Sequence, residues 1–563
     1  MLQTRQPAVR PQFLIAASSL VLIVAPSVIV WLILRYGVNT IVWDQIEIGK
    51  FLVRNSDRAF PRLSDLFAQH NESRKVFPRI LFFYLARLTH WNVKYEMAVS
   101  FLMACGVAAN ITALASRALA SRVLALTATA LCAMLIFSPV QWWNWLFGIQ
   151  VVVFAPILML TTALVVFQLR WPLPLRVAVM ALTSIVATFS YANGMLLWLV
   201  LLVPLLTLRE HRWPMVTAWT ATTVLSMAIY FHDYQKPHGH PALASPLADP
   251  IQFAAYVLAF LGHPLSWARS VPAAVTVGVI VMIAFLVLSA CAVRWRVREA
   301  AAPIAIGLYA VASAGATAIG RLGLTLSQAL EPRYMTFSIY LGVALILLTA
   351  IVAQRVEDVK LTPVAFGVVV LFLAHVLAVR AAWPEMVLNH RERLLARSAV
   401  QFALVSPDRA ALAEFVWPYT AQAVATIDQL SRIRYIDPGP LRSDVISRFI
   451  GDAAPRYGSV ERIVPSGRGF AAVSGWASLP RRRVADAVLL TRSSPDGEHL
   501  VAMSIRTALE RPDIAASDPA LLHSGWLVRV PASLLRSGTT LSAWSWDSSA
   551  ERAYRLAGGI KAD

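Results

Sequence analysis

Asp44 stands in the run Trp43-Asp44-Gln45, directly after a long apolar segment. A carboxylate held near hydrocarbon is costly, so an acid at the mouth of a membrane helix marks a functional site by default. Glu47 follows one helical turn later. The polar run Gln69-His70-Asn71-Glu72-Ser73-Arg74 comes soon after it. Asp44, Glu47 and Glu72 are therefore the candidate acids. A carboxylate can take the proton from a hydroxyl as that hydroxyl attacks carbon. Cations can hold an anion and stabilise charge as it grows. Arg74, Lys236, Arg321 and Arg333 are the candidate cations, and Tyr334 follows Arg333. His70, Asn71, Trp145 and Asn193 are the remaining candidate binding residues. Each also has a plainer reading. Glu72 and Arg74 could form a loop ion pair, and Arg333 could be a snorkelling interface residue. Trp142, Trp143 and Trp145 lie where an aromatic belt belongs, and Asn193-Gly194 is a turn signal.

The elements that must position these residues are membrane helices. The chain has 563 residues, 58% hydrophobic and 14% charged, against roughly 25% charged in soluble globular domains. Apolar runs long enough to cross a bilayer recur from Phe13 to about Val379, which makes the chain a polytopic α-helical membrane protein. The first run, Phe13 to Leu34, is too long for a signal-peptide core and reads as a retained helix. The runs predict about eleven spans, near 13–35, 95–116, 122–140, 149–169, 176–190, 194–208, 215–231, 272–293, 301–319, 335–354 and 362–380. Pro78 to Trp91 and Ile251 to Leu261 are too short to span and read as interfacial or re-entrant helices.

The formal net charge is +19. Residues 383–563 hold 22 Lys/Arg and 18 Asp/Glu, a net of +4, so the excess lies in the membrane part. There it gathers in alternate short turns, such as Arg117 with Arg122, Arg209 with Arg212, and Arg294 with Arg296 and Arg298. That is the signature of cytoplasmic loops, and it argues against a nucleic-acid partner. It predicts a cytoplasmic N-terminus and a C-terminal region on the opposite side. The candidate acids and cations then all fall on that opposite, outer side. The three cysteines, Cys105, Cys132 and Cys291, sit in apolar runs without metal-ligand spacing and read as packing residues.

Three regions follow. Residues 1–382 form the transmembrane domain, with the outer loop 37–92. Residues 383–455 read as a connector of short amphipathic helices and turns. Residues 456–563 read as a soluble β-sandwich, from brief strands near 469–476, 487–491, 500–505, 526–530, 541–546 and 552–556. Ser474-Gly475-Trp476 recurs as Ser524-Gly525-Trp526, which suggests two equivalent strands. Trp476, Trp526, Trp544, Trp546 and Tyr554 could fill its core or stack on sugar rings.

Taken together, an outer-face acid, basic groups and an aromatic rim suit glycosyl transfer from a lipid phosphate. The same residues resemble the GT-C superfamily of membrane glycosyltransferases. The likeness rests on Trp43-Asp44-Gln45, Gln69 to Arg74, Gln141…Asn144-Trp145…Gln150, Ala192-Asn193-Gly194 and Pro332-Arg333-Tyr334, and it is to a bacterial group with a C-terminal outer domain. It implies a polyprenyl-phosphate sugar donor, a glycan or protein acceptor, a bacterial inner membrane with the C-terminal domain periplasmic, and Asp44 as the catalytic base. The chain departs from some such families in lacking an Asp-x-Asp or Asp-Glu pair after the first helix. That favours an inverting, metal-independent transfer with no cofactor. Two other classes remain open: a transporter or flippase of lipid-linked sugar, and a non-catalytic glycan-assembly protein. A transporter would place polar residues at mid-membrane in repeated halves. No such repeat is evident.

Overall fold

The computed structural model describes residues 11–236, 249–321, 323, 325–355, 361–437, 439–467, 469–505, 508–535, 540–558 and 560–561. The chain divides into two compact units. The first comprises 1–37, 61–81 and 94–387, the second 38–60, 82–93 and 388–563. The loop 37–92, read from the sequence as one piece of the membrane domain, is thus shared between them.

The first unit is helical. Its principal helices are α1 (Pro11–Tyr36), α4 (Lys94–Ala118), α5 (Arg122–Ile136), α6 (Val151–Phe167), α7 (Leu173–Thr188), α8 (Arg212–Phe231), α9 (Pro250–Gly262), α10 (Val271–Arg294), α11 (Ala301–Arg321) and α12 (Met335–Ala353). Of two further helices that precede α4 in the chain, α2 (Asp44–Arg54) belongs to the second unit, and α3 (Val76–Thr89) belongs to the first unit up to Leu81 and to the second from Phe82. The last helix of this part, α13, runs Leu361–Gln401. Among the described residues, eight helices are long and apolar enough to cross a membrane. Their outward faces carry Leu20, Ile23, Leu102, Ile280 and Val293, all exposed, a surface that suits lipid rather than water.

The shorter runs behave differently. The predicted span 194–208 is broken into a 3-10 turn and two short helices, Leu197–Val200 and Leu202–Leu206. The break sits beside Asn193-Gly194. A Cβ on Gly194 would lie 1.9 Å from the Ala187 carbonyl oxygen. The chain therefore folds back against the end of α7, and only glycine fits the approach. Pro78–Trp91 and Ile251–Leu261 do form helices, α3 and α9, as expected. Helix α9 packs tightly on α10. Gly262 lies 2.0 Å, as a built Cβ, from the Ala274 carbonyl, and Gly278 the same from the Leu258 carbonyl. Such small-residue crossings let membrane helices approach at backbone distance.

One expectation is corrected. Residues 383–401 are not short helices and turns. They continue α13 without interruption, through Pro384, to Gln401. Hydropathy collapses there, but the backbone hydrogen bonds of a helix do not require an apolar exterior. Residues of α13 up to Val387 belong to the first unit and those from Leu388 to the second.

The second unit contains two sheets. In one the strand order is β3 (Ile450–Asp452), β11 (Arg552–Arg555), β10 (Thr540–Asp547), β7 (Ala487–Ser494) and β8 (Gly497–Ser504), with β12 (Ile560–Lys561) also on β10. In the other, β5 (Phe470–Leu479) pairs with β4 (Gly458–Pro465), β9 (Gly525–Pro531) and β6 (Arg483–Val484). Val473, Trp526 and Val528 of one sheet and Val488, Leu490 and Leu541 of the other share a single core. All six predicted strands are present. The Ser-Gly-Trp echo has a structural meaning: β5 and β9 pair antiparallel, with Gly475 opposite Trp526 and Trp476 opposite Gly525. Trp526, Trp544 and Trp546 are buried, so they fill the core rather than face solvent. Trp546 donates through Nε1 to Gln401 Oε1 (3.0 Å) and packs edge-on against Phe402 and Phe449.

Candidate functional site

A cavity of about 490 Å³ in the first unit collects much of the polar constellation. It is lined by Glu72, Asn193, Lys236, Arg321, Arg333 and Tyr334. These six residues come from five separate stretches of chain. All six are among the residues singled out from the sequence.

Glu72 sits at the tip of a minimal hairpin. Strands β1 (Gln69–His70) and β2 (Ser73–Arg74) pair as Gln69 with Arg74 and His70 with Ser73. Asn71 turns the chain with φ 52°, a left-handed conformation that asparagine tolerates better than most residues. Arg74 anchors the hairpin. Its guanidinium donates to the carbonyls of Phe67, Tyr230 and His232. Tyr230 returns the contact, donating its hydroxyl to the Glu72 carbonyl at 2.7 Å. Gln69 holds the backbone of Gln235 on both sides, at 2.6 and 3.0 Å, and so places the neighbouring Lys236. Ser73 accepts from the Ala192 amide at 3.2 Å, which ties the hairpin to the Asn193 turn.

The Glu72 carboxylate lies 3.9 Å from Arg321, and both side chains are partly exposed, at 31% and 26%. Its second oxygen is buried without a hydrogen-bond partner. The same holds for Asn193 Nδ2, Arg333 Nε and the Tyr334 hydroxyl. Unpaired buried polar atoms are costly, and four of them belong to residues of one cavity. Such atoms, together with three cations and one acid, describe a site built to take a polar, anionic ligand. The aromatic walls are ordered. Tyr191 stacks on Phe337 with centroids 5.8 Å apart, and Tyr334 on Phe260 at 5.6 Å.

Arg333 is positioned from below by a buried amide network. Asn144 Nδ2 donates to the Arg333 carbonyl (3.1 Å) and to Thr336 Oγ1 (2.6 Å), and Thr336 donates to Gln141 Oε1 (2.8 Å). Trp145 is fully buried and donates to the Ser138 carbonyl at 3.0 Å. Trp145 thus supports the site and does not line it.

Other candidates are placed elsewhere. His70 and Arg74 are buried in the hairpin, and Asn71 is exposed at its turn. None of the three lines the cavity. Arg74 is committed to carbonyls, so its role is to shape the loop.

Asp44 and Glu47 belong to the second unit. Asp44 begins helix α2, half-buried, after Trp43 with φ 51°. The Trp43 amide donates to the Val416 carbonyl at 2.7 Å, which holds that turn. Glu47 pairs with Lys50 at 2.6 Å, and Lys50 also donates to Gln422. Helix α2 rests on α14 (Thr420–Arg432), where Gly49 faces Leu430 and Thr426 so closely that a built Cβ would lie within 3.0 Å. Glu47 is therefore tied into a surface ion pair.

Tyr230, Thr317 and Phe337 are among the lining residues not assigned from sequence. Tyr230 and Phe337 sit in apolar helix sequences where an aromatic reads as core, and the only available signal was the aromatic run Tyr230-Phe231 leading to Tyr234. No family model matches the chain, and no curated protein or solved structure matches it significantly.

Proposed function

We propose that the protein is a membrane glycosyltransferase of GT-C type that moves a sugar from a polyprenyl-phosphate donor to a glycan or protein acceptor at the outer face of a bacterial inner membrane. The observation that carries this reading is the cavity in which Glu72 faces Arg321, Arg333 and Lys236. The acceptor hydroxyl gives its proton to a carboxylate as its oxygen bonds to the sugar's anomeric carbon. The bond from that carbon to the phosphate oxygen breaks, and the leaving phosphate takes the electron pair. Guanidinium and ammonium groups meet that charge where it develops. Tyr191, Tyr334 and Asn193 give the sugar aromatic faces and an amide.

We assign the proton to Glu72, because it is the candidate acid that lines the cavity. Asp44, the acid favoured by the sequence and the resemblance, begins a helix of the other unit and is the comparison to test. The outer-face placement of the site and a periplasmic C-terminal domain rest on the positive turns alone.

The test uses membranes containing the full chain and a panel of polyprenyl-phosphate sugars, with release of polyprenyl phosphate as the readout. Glu72→Gln keeps the shape but cannot accept the proton, and turnover should fall roughly 100-fold or more. Asp44→Asn should fall less. If Asp44→Asn abolishes release while Glu72→Gln keeps it, the base is Asp44. If no donor in the panel is consumed, and lipid-linked sugar instead crosses the membrane, the transporter reading replaces this one.

A further inference from the structure

A second cavity in the first unit is larger than the one that holds Glu72. It has a volume of about 660 Å³ and is lined by Arg117, Arg176, Arg209 and Arg298, together with Glu210 and Glu299. Glu299 is paired with Arg355 at 3.5 Å. Four guanidiniums therefore face one remaining carboxylate.

The position of this cavity is informative. Its residues come from the ends of helices: the C-terminus of α4, the end of α6, the start of α7 and the start of α11. Arg298, Glu299, Ala301 and Ala302 line it at the N-terminal end of α11, whereas Gly320 and Arg321, at the other end of that helix, line the Glu72 cavity. Helix α11 has 21 residues, so the two cavities are separated by about 30 Å of helix axis, close to the hydrocarbon thickness of a bilayer. Trp171, Trp213 and Trp295 are 45%, 65% and 47% exposed and lie just before α7, in the first turn of α8 and just after α10. Exposed tryptophans at helix ends mark the headgroup level.

The lining is mixed. Leu164, Leu173 and Pro204 supply apolar wall beside the arginines. Arg176 is fixed in place, its Nη1 donating to the Phe167 carbonyl at 2.8 Å. Its Nε is buried with no hydrogen-bond partner. A charged donor left buried and unpaired is costly unless an acceptor can reach it.

We propose that this cavity binds the phosphate of an anionic membrane lipid on the arginine-rich side of the bilayer, with the lipid's chains against Leu164 and Leu173. Guanidinium forks suit phosphate oxygens bidentately. Basic pockets between membrane helices are suited to anionic headgroups. The amino end of α11 adds favourable potential for an anion. The inference uses a cavity distinct from the transferase site and stands whether or not sugar transfer is found.

The test uses the purified full chain in neutral detergent, titrated with phosphatidylglycerol, with bound lipid counted by native mass spectrometry. Phosphatidylcholine and inorganic phosphate are titrated in parallel. Wild-type protein should retain phosphatidylglycerol in preference to both. Each arginine near the headgroup contributes about fivefold in affinity. Arg209→Gln combined with Arg298→Gln should therefore weaken binding about 25-fold, with the lipid-free thermal midpoint unchanged. Arg294→Gln combined with Arg296→Gln removes the same charge outside the cavity and should change binding less than twofold. An equal loss from that pair would overturn the site in favour of general surface attraction. Equal binding of phosphatidylcholine would do the same. Binding of inorganic phosphate as tight as that of the lipid would overturn the lipid assignment.

Discussion

Arg333 shows how one side chain is made specific by what lies around it. Its backbone is held by Asn144, its Nη2 reaches Gln328 Oε1 at 3.5 Å, and its Nε is buried without a partner. A planar fork can engage two phosphate oxygens at once, where an ammonium acts as a point charge. Arg333→Lys should therefore raise the donor KM about tenfold, since a hydrogen bond to a charged group is worth ~1.5–3 kcal/mol. Unchanged donor affinity in Arg333→Ala would make the residue a structural anchor. A second residue, in the β unit, offers a pH test. Asp444 and then Asp496, each at about 3 Å from a ring nitrogen, hold the His499 imidazolium and raise its pKa above the usual histidine value. The raised group stabilises the fold fully below pH ~6.5. That contribution is lost as pH rises through the raised pKa. The melting temperature of the wild type should therefore fall across the near-neutral range relative to His499→Gln, and parallel curves for the two proteins would show that the contact contributes nothing.

At the scale of elements, the helices were legible and their interruptions were not. The continuous α13 was misjudged from hydropathy. A window average sees polarity, whereas a helix ends where its backbone bonds end. The α9–α10 pair is the sharpest case of element packing. A Cβ on Gly278 would sit 2.0 Å from the Leu258 carbonyl, and backbone cannot yield as a flexible side chain can. Gly278→Val should destabilise the protein by roughly 1–3 kcal/mol, the usual range for overpacking. A lowered thermal midpoint in detergent would register it. A variant as stable as the parent would mean that the two helices can separate without cost.

At the scale of the whole molecule, the chain joins a helical membrane unit to a unit with two sheets. The second unit is held by large buried aromatics and by a buried ion pair. Arg391 meets Asp486 at 2.8 Å, and the second Asp486 oxygen accepts from the Ser548 amide and hydroxyl. Trp546 packs on Phe402, Phe449 and Gln401, so one indole joins the sheet to the region after α13. Trp546→Ala should cost roughly 3–5 kcal/mol and shift the unfolding midpoint of the full chain strongly. Because Trp526, Trp544 and Trp546 are buried, their emission should not respond to added cell-surface glycan. A response that vanishes in Trp546→Phe would show that this indole is reachable after all.

Sequence by itself determined the class of the molecule. Apolar runs of bilayer length require a membrane, alternating short strands with turn residues require sheet, and both are properties of local chain. It also named Glu72, Asn193, Lys236, Arg321, Arg333 and Tyr334, because charged and amide groups beside apolar helices stand out by cost alone. What only the tertiary structure decided is which of them meet. Glu72 and Arg321 are 3.9 Å apart across some 250 residues of chain. Asp44, close to Glu72 in sequence, belongs to a different unit. Arg74 and Trp145 have the composition of site residues but spend their donors on carbonyls. Proximity along the chain constrains a few residues on either side, while a cavity is made by helix ends that pair through packing, which no local pattern records.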